Sequence, residues 1–255
     1  MKLTFKTPGA AYSIESMAQF FAEPGQANWA EMFFAFYPQL DREKLFFGTK
    51  AERQRHLTEV MTVEYTSQEP EITQKQVLYQ AHWDAHEVEI QTAFSEIFSL
   101  DLTGRFDDME ASITLNPICP RYLSAHSFDV FFKNSPSGAL GMALHEITHF
   151  LWFDVWAEVF DEDSPEQYET PHLPWIFSEM VVDPILKGDK RLYALDPYSQ
   201  NEGSAYECFY TMQIAGVPIL QTLGEWYQSM SIREFMKTGC SFCQAHEAEF
   251  RAQMI

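Results

Sequence analysis

PSGALGMALHEITHFLWFDVWAEVF, residues 136–160, is the stretch on which the reading of this chain turns. Ser135 is placed to cap it, Pro136 suits a first helical position, and no proline interrupts Ala139 to Phe160, so one helix is expected. Gly138 and Gly141 weaken that helix slightly, and glycine also permits close packing. Residues four apart on a helix differ by about 40° around the axis and about 6 Å along it. His145 and His149 therefore share a face and can reach a single zinc ion. Glu146, next to the first of them, is a carboxylate suited to take a proton from a metal-bound water. The plainer alternative is a buried helix with two hydrogen-bonded core histidines.

A third ligand is sought downstream. Trp175-Ile176-Phe177-Ser178-Glu179-Met180-Val181-Val182-Asp183 is apolar except for Ser178 and two acids, Glu179 and Asp183, which share a helical face. Carboxylates on an apolar helix are costly unless they are paired or bind metal. Glu179 as third ligand, with Asp183 accepting a hydrogen bond from a ligand histidine's other nitrogen, accounts for both. A solvated helix edge would account for them too, but the apolar flanks argue against it.

His145, Glu146 and His149, followed by Glu179 and by Asp183 four later, resemble the gluzincin group of zinc metallopeptidases, with its thermolysin-like active site. The resemblance implies His145, His149 and Glu179 as zinc ligands, Glu146 as general base and Asp183 as the partner of His145. It implies a zincin-like catalytic core. It covers positions 136 to 187, and the interval from His149 to Glu179 is longer than in thermolysin. The other zincin pattern, a glycine and a third histidine soon after the first pair, is absent from Phe150 to Phe160.

The bulk of the sequence fits a folded, acidic protein. With 255 residues, 46% hydrophobics and 22 Phe, it can bury a sizeable core. A net charge of −20 argues against nucleic acid or an anionic membrane as partner. Met1 to Gln19 has no unbroken apolar run of the signal-peptide kind, and no charge-free stretch is long enough to span a bilayer, so a cytoplasmic location is expected. Cys119, Cys208, Cys240 and Cys243 fit that compartment as free thiols. Cys240 and Cys243, with His246 beyond them, lack the context of a redox pair or a four-ligand zinc site.

The expected fold is α+β and mostly α: a helical region over residues 1–105 and a zincin-like domain over 106–255, with the option that both pack as one unit. Lys2 to Lys6 reads as a short strand, and Ser13 to Phe21 and Ala27 to Tyr37 as helices separated by Pro24-Gly25. Asp41 is placed to cap a helix holding Leu45, Phe46 and His56. Glu69-Pro70 should break the chain, with Thr73 and Gln76 capping a new helix to about Phe98. His82 and His86 on that helix lack a glutamate after the first histidine and a third ligand, which favours a surface or interhelix role. Period-two alternation at Ile113 and Leu115, ended by Pro117, reads as an edge strand able to take up an extended peptide. Ser127 to Phe132 is a second strand. Asp161 to Glu169 carries five acids and no base, a solvated connector or an acidic rim, with a helix start at Ser164-Pro165. Pro184 should kink or end its helix. After Asn201-Glu202-Gly203, Ser204 and Glu207 form a capping-box pattern ahead of Tyr206 and Tyr210, and Ser231 and Glu234 form another.

The expected activity is peptide hydrolysis on zinc, with a peptide or protein as substrate. An oxyanion donor must come from Tyr193, Tyr198, Tyr206, Tyr210 or His172, and Tyr206 is the choice because its helix has a defined start. Two other classes compete: a catalytically silent zinc-binding scaffold, and a metal-free helical interaction protein. Should Glu179 fail as a ligand, Glu158, Glu162, Glu166 and Glu169 return as candidates.

Overall fold

A computed structural model describes residues 1–22, 27–161, 164–201 and 203–254. Pro24-Gly25, Glu162 and Glu202 of the sequence reading lie outside them. The fold is mostly helical with a small mixed sheet, and no helix among the described residues is long and apolar enough to cross a membrane. The chain divides into two compact units, and both are discontinuous in sequence. One holds residues 2–85 and 106–139, the other Met1, 86–105 and 140–255. The boundary expected at 105 thus falls where the chain passes from the second unit back to the first.

The first unit is built on a four-stranded sheet in the order β1-β2-β4-β3. Strands β1 (Leu3–Lys6), β2 (Met109–Thr114) and β4 (Ser127–Phe131) run parallel, and β3 (Arg121–Tyr122) closes the far edge antiparallel to β4. The segment expected as an edge strand is therefore an interior one. Its Ser112 and Thr114 are buried with its apolar residues, because both neighbours and both faces are covered, and Pro117 lies beyond the ladder. A peptide cannot add to β2.

Helices α1 (Ala10–Ala18), α2 (Ala27–Phe36) and α3 (Arg42–Phe47) follow β1. Asp41 caps α3, its carboxylate accepting from Lys44 N at 3.1 Å. Gly48 ends α3, and Thr49 with Glu52 starts α4 (Lys50–Phe98), so His56 falls on a separate helix. Pro70 does not break α4. The buried stripe of Leu57, Met61, Tyr65, Ile72 and Tyr79 keeps its phase across the proline, and Pro70 itself faces solvent. Tertiary packing thus offsets the lost backbone bond. Thr73, expected as a cap, returns its hydroxyl to the Glu69 carbonyl one turn back.

In the second unit α5 (Pro136–Phe160) supplies the residues from Leu140 onward, and α6 (Leu173–Gly188) follows a short turn around Tyr168. The Ser135 cap is present, its hydroxyl accepting from Gly138 N at 2.9 Å. Ser164 provides no side-chain cap, so only a single tight turn forms at Pro165–Tyr168. Pro184 does not end α6, whose residues Ile176 to Leu186 are all buried. Short helices α7 (Lys190–Leu195), α8 (Pro197–Gln200) and α9 (Glu207–Thr211) lead to a hairpin of β5 (Gln213–Ile214) and β6 (Val217–Pro218). Then come α10 (Ile219–Ser229), α11 (Ile232–Ala245) and α12 (Glu247–Gln253). The capping box at Ser231 and Glu234 forms as expected. The one at Ser204 and Glu207 does not: Tyr206 occupies the cap position without a side-chain capping bond, and Ser204 is engaged with Asp183 and Asp196.

Candidate metal centre

Both ligand helices belong to the second unit. Trp152 of α5 meets Phe177 of α6 edge to face at 5.2 Å and Phe235 of α11 at 6.0 Å, so aromatic packing fixes the two helices against each other. On the same faces, His145 and His149 meet Glu179. The Nε2 atoms of the histidines lie 3.1 Å apart, and the Glu179 Oε2 lies 3.5 Å from the first and 3.4 Å from the second. Among the described residues this is the one set of three metal-ligating side chains that converges.

The triangle fits the donor chemistry of a tetrahedral divalent metal ion, zinc among others. Tetrahedral coordination with bonds of about 2.0–2.1 Å separates any two ligand atoms by about 3.3 Å, and the observed edges bracket that value. Two imidazoles and a carboxylate also form the three-ligand set that leaves a zinc position open. His149 and Glu179 are buried, whereas the His145 side chain keeps 19% of its surface in solvent, so the cluster is reached from the His145 side. The His149 ring stacks on Phe153 (6.4 Å, 15°), which stacks in turn on Tyr168 at 4.2 Å, and this column fixes the imidazole plane. Glu146, the proposed base, is buried at 5% exposure.

Asp183 is placed differently from its expected role. Its carboxylate accepts from Ser204 N at 3.0 Å, from the Tyr210 hydroxyl at 2.8 Å and from Lys187 Nζ at 2.8 Å. His145 is not among these partners, because the turn after Gly203 folds over α6 and takes up the carboxylate first. Gly203 sits at φ +98°, and a side chain there would run into the Tyr210 hydroxyl.

The oxyanion candidates separate clearly. The Tyr210 hydroxyl is spent on Asp183, Tyr198 packs on the α5 backbone at Gly141, and Tyr193 and His172 are exposed. Tyr206 places its ring 6.1 Å from that of Trp175, one helical turn before Glu179. Of the fallback acids, Glu158 pairs with Arg105 and Arg233, and Glu166 and Glu169 are exposed. Cys240, Cys243 and His246, like His82 and His86, join no converging set of three among the described residues. Burial pushes the Cys243 thiol well up, with Cys240 adding to the effect, so the pair is poorly suited to thiolate chemistry.

Sequence reasoning missed Asp196. It is fully buried, caps α8 through Tyr198 N (3.0 Å) and Ser199 N (3.1 Å), and accepts the Ser204 hydroxyl at 2.6 Å. The Asp-Pro pair at 196–197 was a legible cap signal, but nothing in the sequence tied it to the metal helices. Comparison with family models, curated proteins and solved structures finds no match.

Proposed function

We propose that the chain is a zinc-dependent hydrolase of peptide bonds, with His145, His149 and Glu179 holding the metal and Glu146 acting as general base. The observation that carries this reading is the triangle of ligand atoms with edges of 3.1, 3.4 and 3.5 Å. When bound there, zinc supplies the Lewis acidity that brings the pKa of a coordinated water near neutrality and polarises a substrate carbonyl. The remaining steps belong to the chain. Glu146 takes the water's proton and returns it to the leaving amine. Phe153 keeps the His149 ring in its plane, and the Tyr206 hydroxyl serves as hydrogen-bond donor to the developing oxyanion.

Two observations favour a second reading, a catalytically silent zinc-bearing scaffold. Asp183 is committed to Ser204, Tyr210 and Lys187 rather than to a ligand histidine. The strand β2 offers no free edge for an extended peptide. Glu146→Gln separates the two readings. In the hydrolase it lowers turnover of a peptide library by about 10²–10⁴-fold while zinc stays near one per chain. Wild-type protein that holds zinc yet cleaves nothing would leave the scaffold.

A further inference from the structure

Three buried or partly buried side chains join the ligand helices one turn away from the metal centre. On α5, Gly141 lies four residues before His145. A Cβ there would come within 2.7 Å of Asp196 Oδ1 and 2.8 Å of the Tyr198 ring, so both groups rest directly on the helix backbone. On α6, Asp183 lies four residues after Glu179. Ser204 connects the two places. Its main-chain N–H donates to Asp183 Oδ1 at 3.0 Å, and its hydroxyl donates to Asp196 Oδ2 at 2.6 Å. Ser199 Oγ, 3.1 Å away, completes the hydroxyl's bonding. Both residues are buried, Asp183 at 4% and Asp196 at 0% exposure. Hydrogen bonds to buried charges are short and strong, and a buried carboxylate that loses one is penalised by its desolvation.

We propose that Ser204 is a positioning residue: by bridging Asp196, seated on α5, to Asp183 of α6, it sets the separation of Glu179 from His145 and His149. The inference rests on the metal-centre reading above. Ligand sites tolerate errors of only a few tenths of an ångström. A helix turn is about 5.4 Å long, so a bridge one turn away transmits a small slip of α6 almost undiminished to Glu179. Aromatic packing around Trp152 resists separation of the helices but allows sliding. The bridge is directional where Ser204 bonds Asp183 and Asp196, and it meets α5 by close packing of Asp196 and Tyr198 on the Gly141 backbone, which has no side chain to slide past.

The test is a zinc titration of metal-free wild type, Ser204→Ala and Ser204→Thr against a chromogenic chelator, at a temperature where circular dichroism shows each metal-free protein folded. Ser204→Ala is expected to bind zinc about 10–100-fold more weakly, the range for losing a supporting residue behind a ligand. Ser204→Thr keeps the hydroxyl and should stay near wild type. A purely structural role would lower the metal-free melting temperature and leave the dissociation constant alone, and that result overturns the proposal. Should Ser204→Ala fail to fold, Ser204→Cys keeps the side-chain volume and replaces the hydroxyl with a weak thiol donor, and unchanged affinity there overturns it equally. Glu179→Ala run alongside separates the two levels. Zinc lost with Glu179→Ala but unaffected in Ser204→Ala sinks the bridge alone, whereas no zinc in wild type sinks both.

Discussion

Asp129 in the sheet unit and Glu179 in the helical unit are both buried carboxylates at the centre of a polar cluster, and the two clusters are opposite in chemistry. In the sheet unit Asp129 is fully buried. It accepts the Tyr12 hydroxyl at 2.9 Å, the Ser16 hydroxyl and the Thr114 side chain, with Asn116 Nδ2 supporting Ser16 at 2.8 Å. In the helical unit Glu179 faces two imidazole nitrogens at 3.4 and 3.5 Å that also face each other. The first carboxylate is solvated by hydroxyl donors, and the protein alone completes it. The second sits beside two imidazole nitrogens that can each present a lone pair in the appropriate tautomer, at the spacing of ligands around a cation. A buried acid becomes a metal-site candidate when its neighbours are themselves electron-pair donors.

The largest effect should come from breaking the cluster of lone pairs. Glu179→Ala is expected to drop zinc from about one per chain to background by elemental analysis, since two histidines on one helix hold zinc weakly without a third ligand. Asp129→Asn, prepared in parallel, should keep its zinc in full. Equal loss in both would mean that the metal content reports folding rather than ligation, and the contrast between the two acids would collapse.

The hydroxyl-ringed cluster has its own signature. Burial pushes Asp129 up to about 7, against an ordinary 3.8, while hydrogen bonds from Ser16, Tyr12 and Thr114 pull it partly back. The folded state therefore holds this proton more tightly than the unfolded chain does. Its contribution to stability is full below about pH 4 and is lost as pH rises through 7. At about 1.4 kcal/mol per pH unit, the loss is on the order of 4 kcal/mol. Asp129→Asn cannot titrate. The difference in unfolding free energy between wild type and variant, followed from pH 4 to pH 8 in denaturant, should shift steadily against wild type. A difference that stays constant with pH would show that Asp129 remains ionised inside the sheet unit.

The sequence disclosed the second cluster and concealed the first, for a physical reason. His145, His149 and Glu179 lie on two helices whose periodicity and caps are local, so spacing alone predicts that they share faces. Asp129 gathers partners from α1 and β2, with Asn116 supporting Ser16, and such contacts exist only once the sheet is assembled. The same limit explains the interior position of β2. Alternation shows that a strand forms, while its neighbours are decided by long-range pairing. Pro70 does not break α4 and Pro184 does not end α6 because the local penalty for proline, about 3 kcal/mol, is outweighed by buried residues on either side. Asp183 was read from its spacing to Glu179, but its partners arrive from residues 204 and 210, which no helical spacing reveals.

The smallest expected effect tests how far the helical cluster extends beyond its three ligands. Tyr206 is held by ring contacts, 6.1 Å from Trp175 and 5.9 Å from Phe209, and Trp175 shares a face of α6 with Glu179. Tyr210, four residues later, spends its hydroxyl on Asp183 at 2.8 Å. The two tyrosines therefore make a matched pair, one packed on Trp175 a helical turn before Glu179 and one bonded to Asp183. Tyr206→Phe should lower kcat by about 10²-fold, the effect of removing one oxyanion donor, with zinc content unchanged. Tyr210→Phe should do the reverse, lowering the melting temperature because a buried carboxylate loses a donor. Measuring both quantities for both variants decides the assignment. If Tyr206→Phe leaves kcat untouched, Tyr206 is only a packing residue, and the oxyanion falls to the metal and to donors on the exposed side of His145.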